Sequence, residues 1–173
     1  ERIERLTGNP MLLTTMALIK RRVGRLPQHR VELYNRAVAV LLDWRREVGE
    51  PLEAREALPQ LAYLAYAMCA QGLQRLTREA MLELLEEMRV AYPHLAPVHR
   101  HSPEAFLERV TARTGLLVEA GRVQRRGRSA EPEYEFRHLT FQEYLAARAL
   151  VDGRYPGQRP DRSFDAVIGA LAG

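Results

Sequence analysis

Apolar residues recur at helical spacing through most of this chain, and that period breaks near residue 116. Leu12, Met16, Ile19 and Val23 mark a first helix, with Asn9 as its N-cap, Pro10 at its first position and Gly24 to stop it. After a loop holding Pro27, Leu33, Tyr34, Ala37, Val38 and Leu41 mark a second helix, expected to end near Gly49 with Trp44 on its last turns. A third runs from about Glu53 to Gln71, with Leu58, Leu61, Ala62, Ala65 and Met68 on one face and Pro59 set to delay or kink its start. Thr77 caps a fourth, striped by Met81, Leu84, Leu85, Met88 and Tyr92, and Ser102-Pro103 opens a fifth that Gly115 ends. Leu116–Ala120 and Tyr134–Phe136 then read as two short strands around an Arg-, Gly- and Ser-rich connection.

Three helices followed by a hairpin make a winged helix, so the fold class expected is mainly α: a helical domain followed by a winged helix with a short β-hairpin wing. The divisions expected are residues 1–50 for the helical segment, 51–152 for the winged helix and 153–173 for the start of a further, truncated helical region. Both ends read as cut. Glu1–Leu6 begins in mid-pattern, and the helix opening after Ser163 stops early.

Composition narrows the class. With 173 residues, 46% of them hydrophobic and 28% charged, the chain is long enough for one core or two small ones. The single cysteine, Cys69, rules out an internal disulfide framework and fits a reducing, cytoplasmic setting, where it reads as a small buried hydrophobe. No apolar run reaches the ~18 residues of a membrane span, and no signal-peptide pattern opens the chain. The formal charge of +4 comes almost wholly from arginine, Lys20 being the lone lysine. Net charge says little about function by itself.

The segment Phe136–Leu150 carries the most chemistry, because it sets His138 directly before a strongly signalled helix start. Thr140 and Glu143 have the spacing of a capping box, with Leu139 and Tyr144 placed as its hydrophobic staple. A helix N-terminus offers unpaired N–H groups and the positive end of the macrodipole, so His138 adds a donor to an anion site, phosphate foremost. Alone, such a histidine more often ends a strand with a local hydrogen bond, and Asn9-Pro10 needs no ligand to start a helix.

Together, Gly8-Asn-Pro-Met-Leu-Leu13 and Phe136–Leu150 resemble the NACHT-type STAND ATPases, signal-transducing relatives of the AAA+ proteins. The resemblance covers roughly residues 8–45 and 114–151. It implies that Asn9 and Pro10 open a helix beside an adenine and that His138 contacts the phosphates of bound ADP. No Gly-x-x-x-x-Gly-Lys-[Ser/Thr] loop occurs, nor a strand ending in paired acids, so phosphate cradle and Mg²⁺ ligands are missing and the chain is not expected to be an enzyme by itself. ADP or ATP with Mg²⁺ belongs, on this resemblance, to the intact protein, with none held tightly by this portion. The implied partners are an upstream nucleotide-binding core of the same polypeptide and, after activation, further copies. The implied role is a lid that senses nucleotide and controls oligomerisation in signalling or defence.

Two other readings compete. A winged helix with Arg122, Arg125, Arg126 and Arg128 on its wing is a common DNA-binding module, but the fifth helix carries Glu104 and Glu108 beside Arg109 and Arg113, and acids on a groove-facing helix disfavour nucleic acid. A structural interaction scaffold is the other. His94, His99 and His101 invite a zinc reading, but their spacing fits no paired Cys/His signature, and no metal site is expected.

Overall fold

The computed structural model describes residues 10–43, 52–124 and 129–158. Helix α1 spans Pro10–Val23 and α2 Arg30–Leu42. The expected continuation of α2 to Gly49, with Trp44, lies outside the described residues, as does the expected boundary at residue 50. The winged-helix order then follows: α3 Ala54–Ala70, β1 Leu76–Thr77, α4 Arg78–Ala91, a 3₁₀ turn Ala96–His99, α5 Pro103–Arg113, β2 Leu117–Val123, β3 Glu131–Phe136 and α6 Leu139–Val151. The expected further helical region is described only to Gln158.

Caps fix the helix starts where the sequence put them. Thr77 accepts a hydrogen bond from the Ala80 N–H at 3.3 Å, and Ser102 accepts one from the Ala105 N–H at 3.2 Å with Pro103 behind it. At the other end of α5, Gly115 takes φ +62°, a left-handed conformation that costs glycine nothing and turns the chain into β2. Pro59 neither delays nor ends α3, which runs through it from Ala54.

The three strands form an antiparallel sheet in the order β1-β3-β2. Leu76 pairs with Tyr134, and Leu117 with Phe136, with a bulge between Glu119 and Gly121. Strand β1 was not expected: two residues between a turn and a helix cap carry no readable alternation.

One large buried cluster runs from Met16 and Ile19 through α2, α3 and the sheet to Leu150 and Tyr155, and a small second one, Tyr63, Met88 and Val98, seats the 3₁₀ turn. Helix α3 is the axle of the large one. A single apolar face was expected, but Glu56, Ala57 and all of Gln60 to Met68 are buried, which is the pattern of a helix surrounded on all sides. Its most extensive neighbour is α6, and buried alanines on both (Ala62 and Ala65, Ala146 and Ala149) let the backbones approach closely. Helix α2 reaches α6 through rings. Tyr34 meets Phe141 edge-on at 5.5 Å and stacks on Tyr144 at 5.5 Å and 20°.

Candidate functional site

The chain enters α6 straight from β3, and that connection positions His138. The Arg137 N–H donates to the Leu116 carbonyl at 2.9 Å and its guanidinium Nε to the Gly115 carbonyl at 3.0 Å, tying the end of β3 to the α5–β2 turn. His138 is then the N-cap of α6, with extended backbone at φ −139° and ψ 131°. Its carbonyl accepts from the Phe141 and Gln142 N–H groups at 3.0 and 3.4 Å.

The capping box expected at Thr140 and Glu143 does not form. With the N-cap at His138, Thr140 is the second helical residue and Glu143 falls beyond the first turn, too far along to reach back. The His138 ring makes no capping hydrogen bond, and no acid stands in the first turn of α6. The first turn of this 13-residue helix thus supplies no carboxylate of its own to its positive end. Thr140 Oγ1 in that first turn, and Tyr34 Oη on the ring that packs against Phe141 and Tyr144, are buried and find no hydrogen-bond partner among the described residues. Such groups are rare in folded proteins because each costs free energy unless something satisfies it.

Electrostatics bear on the same ring. His138 is half-buried, and burial first, then the neighbouring Arg137 charge, lowers its pKa below the ordinary 6.5. At neutral pH the imidazole is therefore a single-proton donor. Among the described residues, a ring donor not used for capping, an orphaned hydroxyl and a helix start with no acid in its first turn are chemically suited to a phosphate oxygen. They do not amount to a whole nucleotide pocket.

The other expected site residues fare unequally. Asn9 lies outside the described residues, and Pro10 is the first residue of α1. On the wing, Arg122 is exposed and donates to the Ala130 carbonyl at 3.4 Å, bracing the hairpin, while Arg125, Arg126 and Arg128 lie outside the described residues. Arg113 of α5 is buried, leaving Glu104 and Glu108 exposed there, and β3 adds Glu131, Glu133 and Glu135. The described residues of the wing and α5 thus present more acids than bases.

The histidine loop holds an arrangement that sequence reasoning missed. His101 Nδ1 lies 2.6 Å from Oε1 of the fully buried Glu56, while His94 and His99 are exposed. Arg89, also buried, donates to the carbonyls of Val98 and His101 and to Gln60 Oε1. This network clamps the loop between α4 and α5 onto α3. The available signal was Glu56 and Gln60, two polar residues four apart, within one turn of each other, on a helix whose later residues are apolar or aromatic. Cys69 is half-buried rather than sealed, with Gln142 Nε2 at 3.6 Å from its sulfur, and burial pushes its thiol pKa up. Among the described residues no helix is long and apolar enough to cross a membrane.

Comparison with known proteins agrees with this anatomy. No curated protein and no solved structure matches the chain. Residues 30–150, from the start of α2 to the last turn of α6, match the family model of the winged helix-turn-helix domain C-terminal to NACHT. That match covers well over half of the chain and spans the whole three-helix, three-strand unit, and it places this chain in the family of winged helix-turn-helix domains that lie C-terminal to NACHT.

Proposed function

We propose that this chain is the regulatory lid of a nucleotide-switched NACHT ATPase, and that His138 reads the phosphates of the nucleotide held by the upstream core. The observation that carries the reading is the His138 ring, half-buried at the mouth of α6 and unused for capping. Membership of a family defined by its place after NACHT supports the partner.

A bound nucleotide supplies the diphosphate charge on which such a switch depends. His138 donates one hydrogen bond from its neutral ring, and the start of α6 adds its dipole. Approach of an anion favours the imidazolium, so the ring gains a proton and a charge as the contact tightens. A lid that touches ADP better than ATP holds the protein closed and monomeric. Exchange removes the differential contact and releases the lid to rotate, exposing an oligomerisation face. Asn9 and Pro10 belong to the same reading as the adenine-side helix start. The setting is cytoplasmic signalling or defence.

The test uses the full-length protein with its upstream core. His138→Ala is expected to speed ADP release about tenfold, the loss of one charge-assisted hydrogen bond, and to raise basal oligomerisation. Unchanged ADP retention in a folded His138→Ala protein would remove the histidine from the switch. Salt-sensitive DNA binding by the chain would favour the wing instead.

A further inference from the structure

The wing divides into two halves at one level of its ladder. In the inner half, Leu117, Tyr134 and Phe136 turn buried side chains into the core, and Tyr134 also pairs with Leu76 of β1. In the outer half, Gly121, Arg122 and Val123 of β2 and Glu131, Pro132 and Glu133 of β3 bury no side chain. The boundary coincides with the bulge, since Glu119 faces Tyr134, Gly121 faces Glu133 and Ala120 is left between them. A bulge interrupts the ladder and bends the strand that carries it, so it is where two halves of a hairpin can differ in direction.

The outer half is held together within itself. Val123 pairs with Glu131 and Arg122 with Pro132, and the Arg122 guanidinium donates to the Ala130 carbonyl at 3.4 Å. It meets the body of the domain at the start of α4, where the Glu79 N–H donates to Glu131 Oε1 at 2.7 Å. Thr77 already takes the Ala80 N–H, so this helix draws one cap from its own sequence and another from the wing. A carboxylate suits the positive end of a helix, and its hydrogen bond is charge-assisted. Beside that bond the surfaces part. An open cleft of about 450 Å³ separates Arg78 and Leu82 of α4 from Ala130 and Pro132 of the wing.

We propose that the outer half of the wing is a hinged arm, pivoting at the Ala120 bulge and strapped to the start of α4 by Glu131. With the strap made, the arm lies against α4. With the strap broken, the arm swings away and opens the cleft, and it gives up no core packing in doing so because it contributes no buried side chain. The two positions are thus divided by an exposed charged contact, which is weak enough to be reversed.

Backbone ¹⁵N relaxation of the 173-residue chain reads the arm directly. Glu131→Ala is expected to lower the amide order parameters of Gly121, Arg122, Val123 and Glu133 while those of Leu117, Tyr134 and Phe136 keep their values. It is also expected to speed exchange of the Glu79 amide about fivefold, the loss of one helix cap. Thr77→Ala separates the strap from simple fraying of α4: it removes the other cap of the same helix and is expected to speed exchange at Ala80 while the arm stays ordered. An arm as ordered in Glu131→Ala as in the unmodified chain, an inner half that loosens with it, or an arm freed equally by Thr77→Ala overturns the proposal. The measurement needs no nucleotide, so each of these results leaves the His138 reading untouched.

Discussion

At the scale of single residues, the start of α6 concentrates groups that the fold does not use. His138 has its pKa lowered by burial and by Arg137, so between that folded value and the ordinary 6.5 the unfolded chain binds more protons than the folded one. Stability is therefore expected to fall as pH drops through 6.5, with the penalty complete below the folded pKa, and His138→Gln is expected to remove that slope. Chemical denaturation at a series of pH values checks it, and an identical slope in the variant would assign it to other groups. Thr140 gives a second expectation. Replacing its buried, unpartnered hydroxyl by the isosteric Thr140→Val leaves the fold intact or more stable by about 1 kcal/mol in the nucleotide-free chain. A loss of more than that on thermal unfolding would mean the hydroxyl has a partner in solution.

At the scale of elements, most helices were legible because their ends are written locally. Thr77, Ser102-Pro103 and Gly115 act within one turn of themselves, so α4 and α5 begin, and α5 ends, where expected. Failures came where tertiary contacts decide. Strand β1 exists through pairing with Tyr134 and Glu133, more than fifty residues away in sequence. The Thr140 box lost to a start at His138, because β3 and the Arg137 anchors deliver the chain to α6 two residues earlier. The position of His138 before a helix was legible; its free ring and the orphaned hydroxyls were not, since both depend on what packs around them. The polar clamp on α3 was hidden likewise, because buried Glu56 and Arg89 resemble surface charges until their partners are known. Arg89→Met is expected to cost about 3 kcal/mol, since it strips donors from Val98, His101 and Gln60 and leaves the Glu56 carboxylate with less compensation. Thermal unfolding measures it, and a loss under about 1 kcal/mol would make the clamp a passive contact.

At the scale of the molecule, what matters for a switch is which parts move together. Helices α1 and α2 share one buried cluster with the winged helix, and the family match itself begins at Arg30, the first residue of α2. Helix α2 packs on α3, α5 and α6, and its contact with α6 is made by Tyr34, only 4% exposed, whose ring meets Phe141 and Tyr144. Buried aromatic rings packed this way contribute area and geometry together, so truncation leaves a cavity that close packing cannot heal. Tyr34→Ala is therefore expected to cost about 3–5 kcal/mol and to speed amide exchange in both α2 and the first turns of α6. Tyr34→Phe, which keeps the ring and removes the unpartnered hydroxyl, is expected to leave exchange in both unchanged. If α2 alone loosens in Tyr34→Ala while α6 stays protected, the two helices are independent bodies, and motion of the helical segment does not reach His138. If both loosen together, the ring stack is the mechanical link by which a contact at His138 moves α2.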